Sequence, residues 1–160
     1  SNTSQKFYPT VIVDDQNIAD LAHKEKSIYV VGNTALDRAF SIEFPNVSAS
    51  CGIVIEALKY RNDQDWSDRS VKFRGAIKRT AGSNGVGEIV KTDDVDFPTL
   101  GTTSMVAATA APTITLASGG VTETQIFDVN CVNFGPGASS AVWLLKVTLT
   151  NSEAAINIQS

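Results

Sequence analysis

Ser70-Val71-Lys72-Phe73-Arg74-Gly75-Ala76-Ile77-Lys78-Arg79 is the stretch whose reading decides the fold. Val71, Phe73, Gly75 and Ile77 fall on one side of an extended chain, while Lys72, Arg74, Ala76 and Lys78 fall on the other. A strand with one face in a core and one in water needs this period of two, because successive side chains point to opposite sides of the sheet. Thr80-Ala81-Gly82-Ser83-Asn84-Gly85 follows, rich in residues that tolerate positive φ, and predicts a hairpin into a return strand over 86–91.

Working outward, the same alternation predicts strands over 27–32, 38–44, 51–60, 113–117, 124–134 and 139–150. In the last of these Trp143, Leu145, Val147 and Leu149 share a face. Strands without interleaved helices predict an all-β antiparallel sandwich, jelly-roll-like, of eight to nine strands. Its core is expected to hold Val71, Phe73, Ile77, Trp143, Leu145 and Val147. Before it, residues 7–14 are β-prone, with Pro9 marking an edge or a strand start. Ile18, Leu21 and Ala22 stand at helical spacing behind an Asp cap, so one short helix is expected over 15–26. Residues 1–45 then form an N-terminal arm with that helix and the first strands, and residues 46–160 the sandwich core of one compact domain. Gly119-Gly120 and Gly135-Pro136-Gly137 read as turns, and the Thr-, Ala- and Gly-rich stretch 98–112 as a long loop or loose edge strand.

With 160 residues the chain has the length of one domain, and its 42% hydrophobic and 19% charged residues are those of a globular protein. No run approaches the 18 or so apolar residues of a membrane span, and no signal peptide is visible. Seventeen acidic against 13 basic residues give a net charge of −4, which argues against binding nucleic acid by phosphate neutralisation. No membrane or nucleic-acid partner is expected.

Few residues offer chemistry. His23 is the one imidazole and sits among charges, so a Ser-His or Cys-His pair has little to draw on. Cys51 and Cys131 lie in apolar runs and show no zinc spacing; they read as small core residues, with a disulfide left open. Gly82 to Gly87 lacks the Gly-Lys-Ser/Thr ending of a phosphate loop. Asp63, Asp65 and Asp68 supply oxygens for calcium but lack the glycine and glutamate of an EF-hand loop, and Asp93, Asp94 and Asp96 form a second acidic cluster of the same kind. Asn46-Val47-Ser48 is an N-glycosylation tripeptide without a secretory context. No catalytic, metal or cofactor residues are assigned, and no cofactor is expected. Contact residues are sought instead in the basic stripe Lys72, Arg74 and Lys78, with Arg79 beside it, and in the aromatics Tyr60 and Trp66, which flank the acidic loop.

Val71 to Arg79, the Gly-rich turn with Val86-Gly87, and Ala141-Val142-Trp143-Leu144-Leu145-Lys146-Val147-Thr148-Leu149 together resemble a β-sandwich module of small tailed-bacteriophage virion proteins, of head-decoration or tail-fibre and appendage type. The likeness covers about residues 50–150. It implies a non-enzymatic structural protein of the virion, present in several copies, whose partners are other virion proteins and copies of itself, a trimer ahead of a dimer. The other reading is a carbohydrate-binding or host-surface-binding sandwich, with a host-surface glycan as partner; it requires aromatics exposed along one sheet face.

Overall fold

The computed structural model describes residues 24–31, 39–61, 69–96, 110–131, 141–150 and 156–159. Among these residues there are nine strands and no helix. They are β1 (Lys24–Val31), β2 (Phe40–Phe44), β3 (Ala49–Arg61), β4 (Arg69–Arg79), β5 (Val86–Asp96), β6 (Thr113–Ser118), β7 (Gln125–Asn130), β8 (Ala141–Thr150) and β9 (Asn157–Gln159). A five-stranded sheet in the order β1-β8-β3-β4-β5 packs on a four-stranded sheet in the order β6-β7-β2-β9. Every pairing is antiparallel. The chain is an all-β antiparallel sandwich.

The alternation read from the sequence places the core. Cys51, Ile53, Ile55 and Ala57 of β3, Val71, Phe73 and Ile77 of β4, and Leu145, Val147 and Leu149 of β8 turn inward at 1% exposure or less. From the other sheet Phe40, Ile42 and Phe44 of β2 and Phe127 and Val129 of β7 meet them. Phe44 and Phe127 pack edge to face, with ring centroids 6.3 Å apart and planes at 78°, the arrangement the ring quadrupoles favour. Gly75 holds an inward position that admits no side chain, since a Cβ there would lie 2.1 Å from the Glu88 carbonyl oxygen.

Several expectations are corrected. The helix expected to run to residue 26 does not reach Lys24, where β1 begins; Lys24, Glu25 and Lys26 alternate along an antiparallel strand against Leu149, Thr148 and Val147. Residues 1–23, with the β-prone segment 7–14 and the rest of that helix, lie outside the described residues, as do Trp66, most of 98–112, Gly135-Pro136-Gly137 and the side chain of Trp143. β5 continues past Lys91 to Asp96 because a bulge at Thr92 resets its register, Phe73 facing Lys91 and Lys72 facing Asp93. The three-residue β9 was not foreseen. Cys51 and Cys131 are free buried thiols, and burial pushes their pKa values up to about 11 and about 12.

Candidate functional site

Two polar regions flank the β4–β5 hairpin, and they differ in kind. The first lies at the end of the sandwich where β2 leads to β3, β4 to β5 and β6 to β7. Arg79 ends β4 there, and the parity that buries Ile77 buries Arg79 as well, to 2% exposure. It therefore does not belong to the exposed basic stripe, a correction to the sequence reading. Its Nε donates to the Ser83 carbonyl at 3.1 Å, Nη1 to that of Phe44 at 3.1 Å, and Nη2 to those of Gly120 and Val121 at 3.4 and 2.9 Å. One guanidinium fork thus joins three separate connections, a task that matches its planar spread of donors. Desolvation lowers its pKa from the ordinary value.

Gln125, also fully buried, completes the clasp. Its Oε1 accepts from the Gly85 N–H at 2.9 Å, and its Nε2 donates to Asn84 Oδ1 at 3.0 Å and to the Gly120 carbonyl at 3.2 Å. The glycosylation-like tripeptide has a structural use: Asn46 Oδ1 accepts from the Gly82 N–H at 2.7 Å and Ser48 Oγ from the Ala81 N–H at 2.9 Å. Gly82 itself adopts φ +79°, which an L side chain rarely tolerates. The Gly-rich segment is a turn in which the N–H groups of Ala81, Gly82, Ser83 and Gly85 are taken by protein groups.

The second region is the outer face of the five-stranded sheet. Along β3, β4 and β5 its side chains lie in rows set by register. Glu56, Lys72 and Asp93 form one row, then Val54, Arg74 and Val90, then Gly52, Ala76 and Glu88, then Ser50, Lys78 and Val86. Lys72 Nζ is 3.8 Å from Glu56 Oε1, and in the neighbouring strands Lys146 Nζ is 3.0 Å from Glu25 Oε1. Glu25 raises the pKa of the exposed Lys146 amine through that hydrogen bond and its charge. Among the described residues no ion pair engages Arg74, Lys78, Glu88 or Asp93. Val86 and Val90 are 69% and 50% exposed.

Of the contact residues expected from sequence, Lys72, Arg74 and Lys78 do share this face, but Lys72 lies between two carboxylate-bearing strands and is no free cation. The expected stripe is therefore a mixed-sign surface. Tyr60 is on β3, paired in register with Val142, away from the clasp end. Trp66 lies outside the described residues, as do Asp63, Asp65 and Asp68. Among the described residues no three His, Cys, Asp or Glu side chains gather as a metal site would need. The outer-face residues that the sequence reading did not pick out are Val86, Glu88 and Val90; their signal was the period-two pattern of 86–90, read only as a return strand.

No known family pattern matches the chain, and no curated protein matches it. Among solved structures it is similar to the tailspike protein of Acinetobacter baumannii phage AM24, at 10% identity and a TM-score of 0.40, over 86% of this chain and 28% of that one. It is also similar to the tailspike protein of Acinetobacter phage vB_ApiP_P1, at 15% identity and a TM-score of 0.33, over 99% of this chain and 25% of that one. The chain thus spans about a quarter of the length of each tailspike, and likenesses of this degree carry no conclusion about its role.

Proposed function

We propose that the chain is a non-enzymatic structural component of a bacteriophage particle, a capsid decoration or tail-fibre and appendage module that assembles in several copies. The observation that carries this reading is the place of the three stretches that resemble such modules. They fold as β4, the β4–β5 turn with the start of β5, and β8, so they lie in one sheet, with β8 and β4 on either side of β3 and β5 at the edge. A turn closed by Arg79 and Gln125 and a core of fully buried aromatic and branched side chains suit a rigid part that presents surfaces. The partners in this reading are other virion proteins and further copies of the chain.

The test is imaging, at a resolution that traces chains, of the particle whose genome encodes the protein. Repeated copies in the head or tail support the reading, and loss of those copies on deletion of residues 1–23 would assign attachment to the N-terminal segment. Absence from the particle, together with saturable binding of a host-surface polysaccharide lost on substitution of Tyr60 and Trp66, overturns it in favour of a glycan-binding module.

A further inference from the structure

Asn84-Gly85 is the one Asn-Gly pair in the sequence. In an unfolded chain such a pair is chemically labile, because glycine has no side chain to keep its backbone nitrogen away from the asparagine carboxamide, and asparagine is among the thermolabile residues. The Gly85 nitrogen attacks Asn84 Cγ: the N–Cγ bond forms, the Cγ–Nδ2 bond breaks, and the proton of the Gly85 N–H passes through water to Nδ2, which leaves as ammonia. A water molecule then opens the five-membered imide at either carbonyl and leaves aspartate or isoaspartate at position 84. The reaction needs a Gly85 nitrogen that has given up its proton and a carboxamide free to swing over it.

Both requirements are withheld in the fold, and by one buried side chain. Gln125 Oε1 accepts from the Gly85 N–H at 2.9 Å, and Gln125 Nε2 donates to Asn84 Oδ1 at 3.0 Å. A hydrogen bond that holds the neutral N–H disfavours its ionisation, and a carboxamide oxygen is too weak a base to take the proton. The carbonyl of Ser83, just before the pair, is fixed in turn by Arg79 Nε at 3.1 Å. The labile partner cannot simply be exchanged for a larger residue. A Cβ at Gly85 would lie 2.6 Å from Cζ of the buried Phe127 ring.

We propose that Asn84-Gly85 is a latent site of covalent modification, spontaneous deamidation, and that Gln125 guards it. The inference stands apart from the particle assignment. Local opening of the clasp, in which Gln125 lets go of the turn, is the event that starts the chemistry. The isoaspartyl product carries one more atom in the main chain between the Cα atoms of residues 84 and 85. Gly85 then loses its fitted place against Gln125 and Phe127, and the turn that Arg79 holds through Ser83 loosens. Each conversion also replaces a neutral amide by a carboxylate, adding one negative charge to the net −4.

The full chain, incubated at mildly alkaline pH, tests this by mass spectrometry of the tryptic peptide 80–91, which lies between Arg79 and Lys91 and holds the pair. The reference is the same chain unfolded in guanidinium chloride. Deamidation in the native chain is expected to be slower by about tenfold or more, the order that two hydrogen bonds supply. Gln125→Met, which keeps the length of the side chain and removes both bonds, should raise the native rate about tenfold, with cooperative melting as the check on folding. Hydrogen exchange at the Gly85 amide of the native chain is the second measurement. It should be slowed, relative to the unfolded chain, by a factor within about threefold of that for deamidation, because one opening event releases both groups. A native chain that deamidates as fast as the unfolded one, a folded Gln125→Met variant that reacts no faster than the native chain, or a Gly85 amide that exchanges freely overturns the inference. If Gln125→Met does not fold, the two rates of the native chain decide.

Discussion

Lys78 and Arg79 are neighbours in sequence and live in opposite surroundings. Arg79 is withdrawn from water and satisfied by four backbone carbonyls, whereas Lys78 is exposed on a face where no carboxylate within its own chain engages it, among the described residues. A cation of the first kind fixes geometry, because its removal leaves oriented carbonyls without donors. One of the second kind leaves folding nearly untouched and remains available for a partner. The same residue class, one step apart on a strand, thus serves structure on one side and faces solvent on the other.

The comparison can be broken from the structural side first. Phe73→Ala, in the fully buried inner face of β4, should lower unfolding free energy by about 3 to 5 kcal/mol in urea titrations. Arg79→Met should follow at about 3 kcal/mol, from several carbonyls left unpaired at about 1 to 3 kcal/mol each with some recovery through water. Arg79→Lys should recover little, since a compact ammonium cannot span three connections. A loss for Arg79→Met no larger than for Lys78→Met would erase the distinction between the two sites.

Smaller effects sharpen it. The thiols of Cys51 and Cys131 have folded pKa values raised from 9.0 to about 11 and about 12, so the unfolded chain releases those protons first as pH rises. Their contribution to stability is complete below pH 9 and fades as pH climbs toward 11 and 12. The melting temperature should therefore fall more steeply over that range in the native chain than in a Cys51→Ala/Cys131→Ala variant. Smallest of all, Lys72→Ala should change stability by no more than about 0.5 to 1 kcal/mol, because its pair with Glu56 is long and exposed.

How much was legible in the sequence follows from where its pattern has one meaning. From Val71 to Ile77 each inward position is apolar or glycine and each outward one polar or small, so strand, face and core could be read together. Continued by one step, the same parity places Arg79 inside; the basic pair Lys78-Arg79 obscured it, because a charged residue reads as exposed unless its partners are known. Three of those four partners are backbone carbonyls 35 to 42 residues away in sequence and the fourth lies four residues on, and carbonyls carry no side-chain signature. The extension of β5 failed for a related reason. Thr92 bulges, with its hydroxyl donating to the Lys72 carbonyl at 3.0 Å, and the alternation that marks a strand shifts phase at that point. The three residues of β9 are too few for any period to show. The mixed sign of the outer face was also out of reach, since β3, β4 and β5 each contribute one charge to its first row and their register is a property of the fold.

The strand order also sets a timetable. β3, β4 and β5 are joined by local hairpins and can assemble as soon as they are made. Among the described residues β1 has no partner in its sheet except β8, whose residues follow more than 100 positions later. During synthesis β1 must therefore wait, and β3, 13 residues long, offers an unpaired edge until β8 slides in between them. Closing so distant a pairing is slow compared with forming the hairpins. For that interval the emerging chain is most exposed to strand exchange with its neighbours, and heterologous production should gain from slow translation, low temperature or a chaperone that covers the β3 edge.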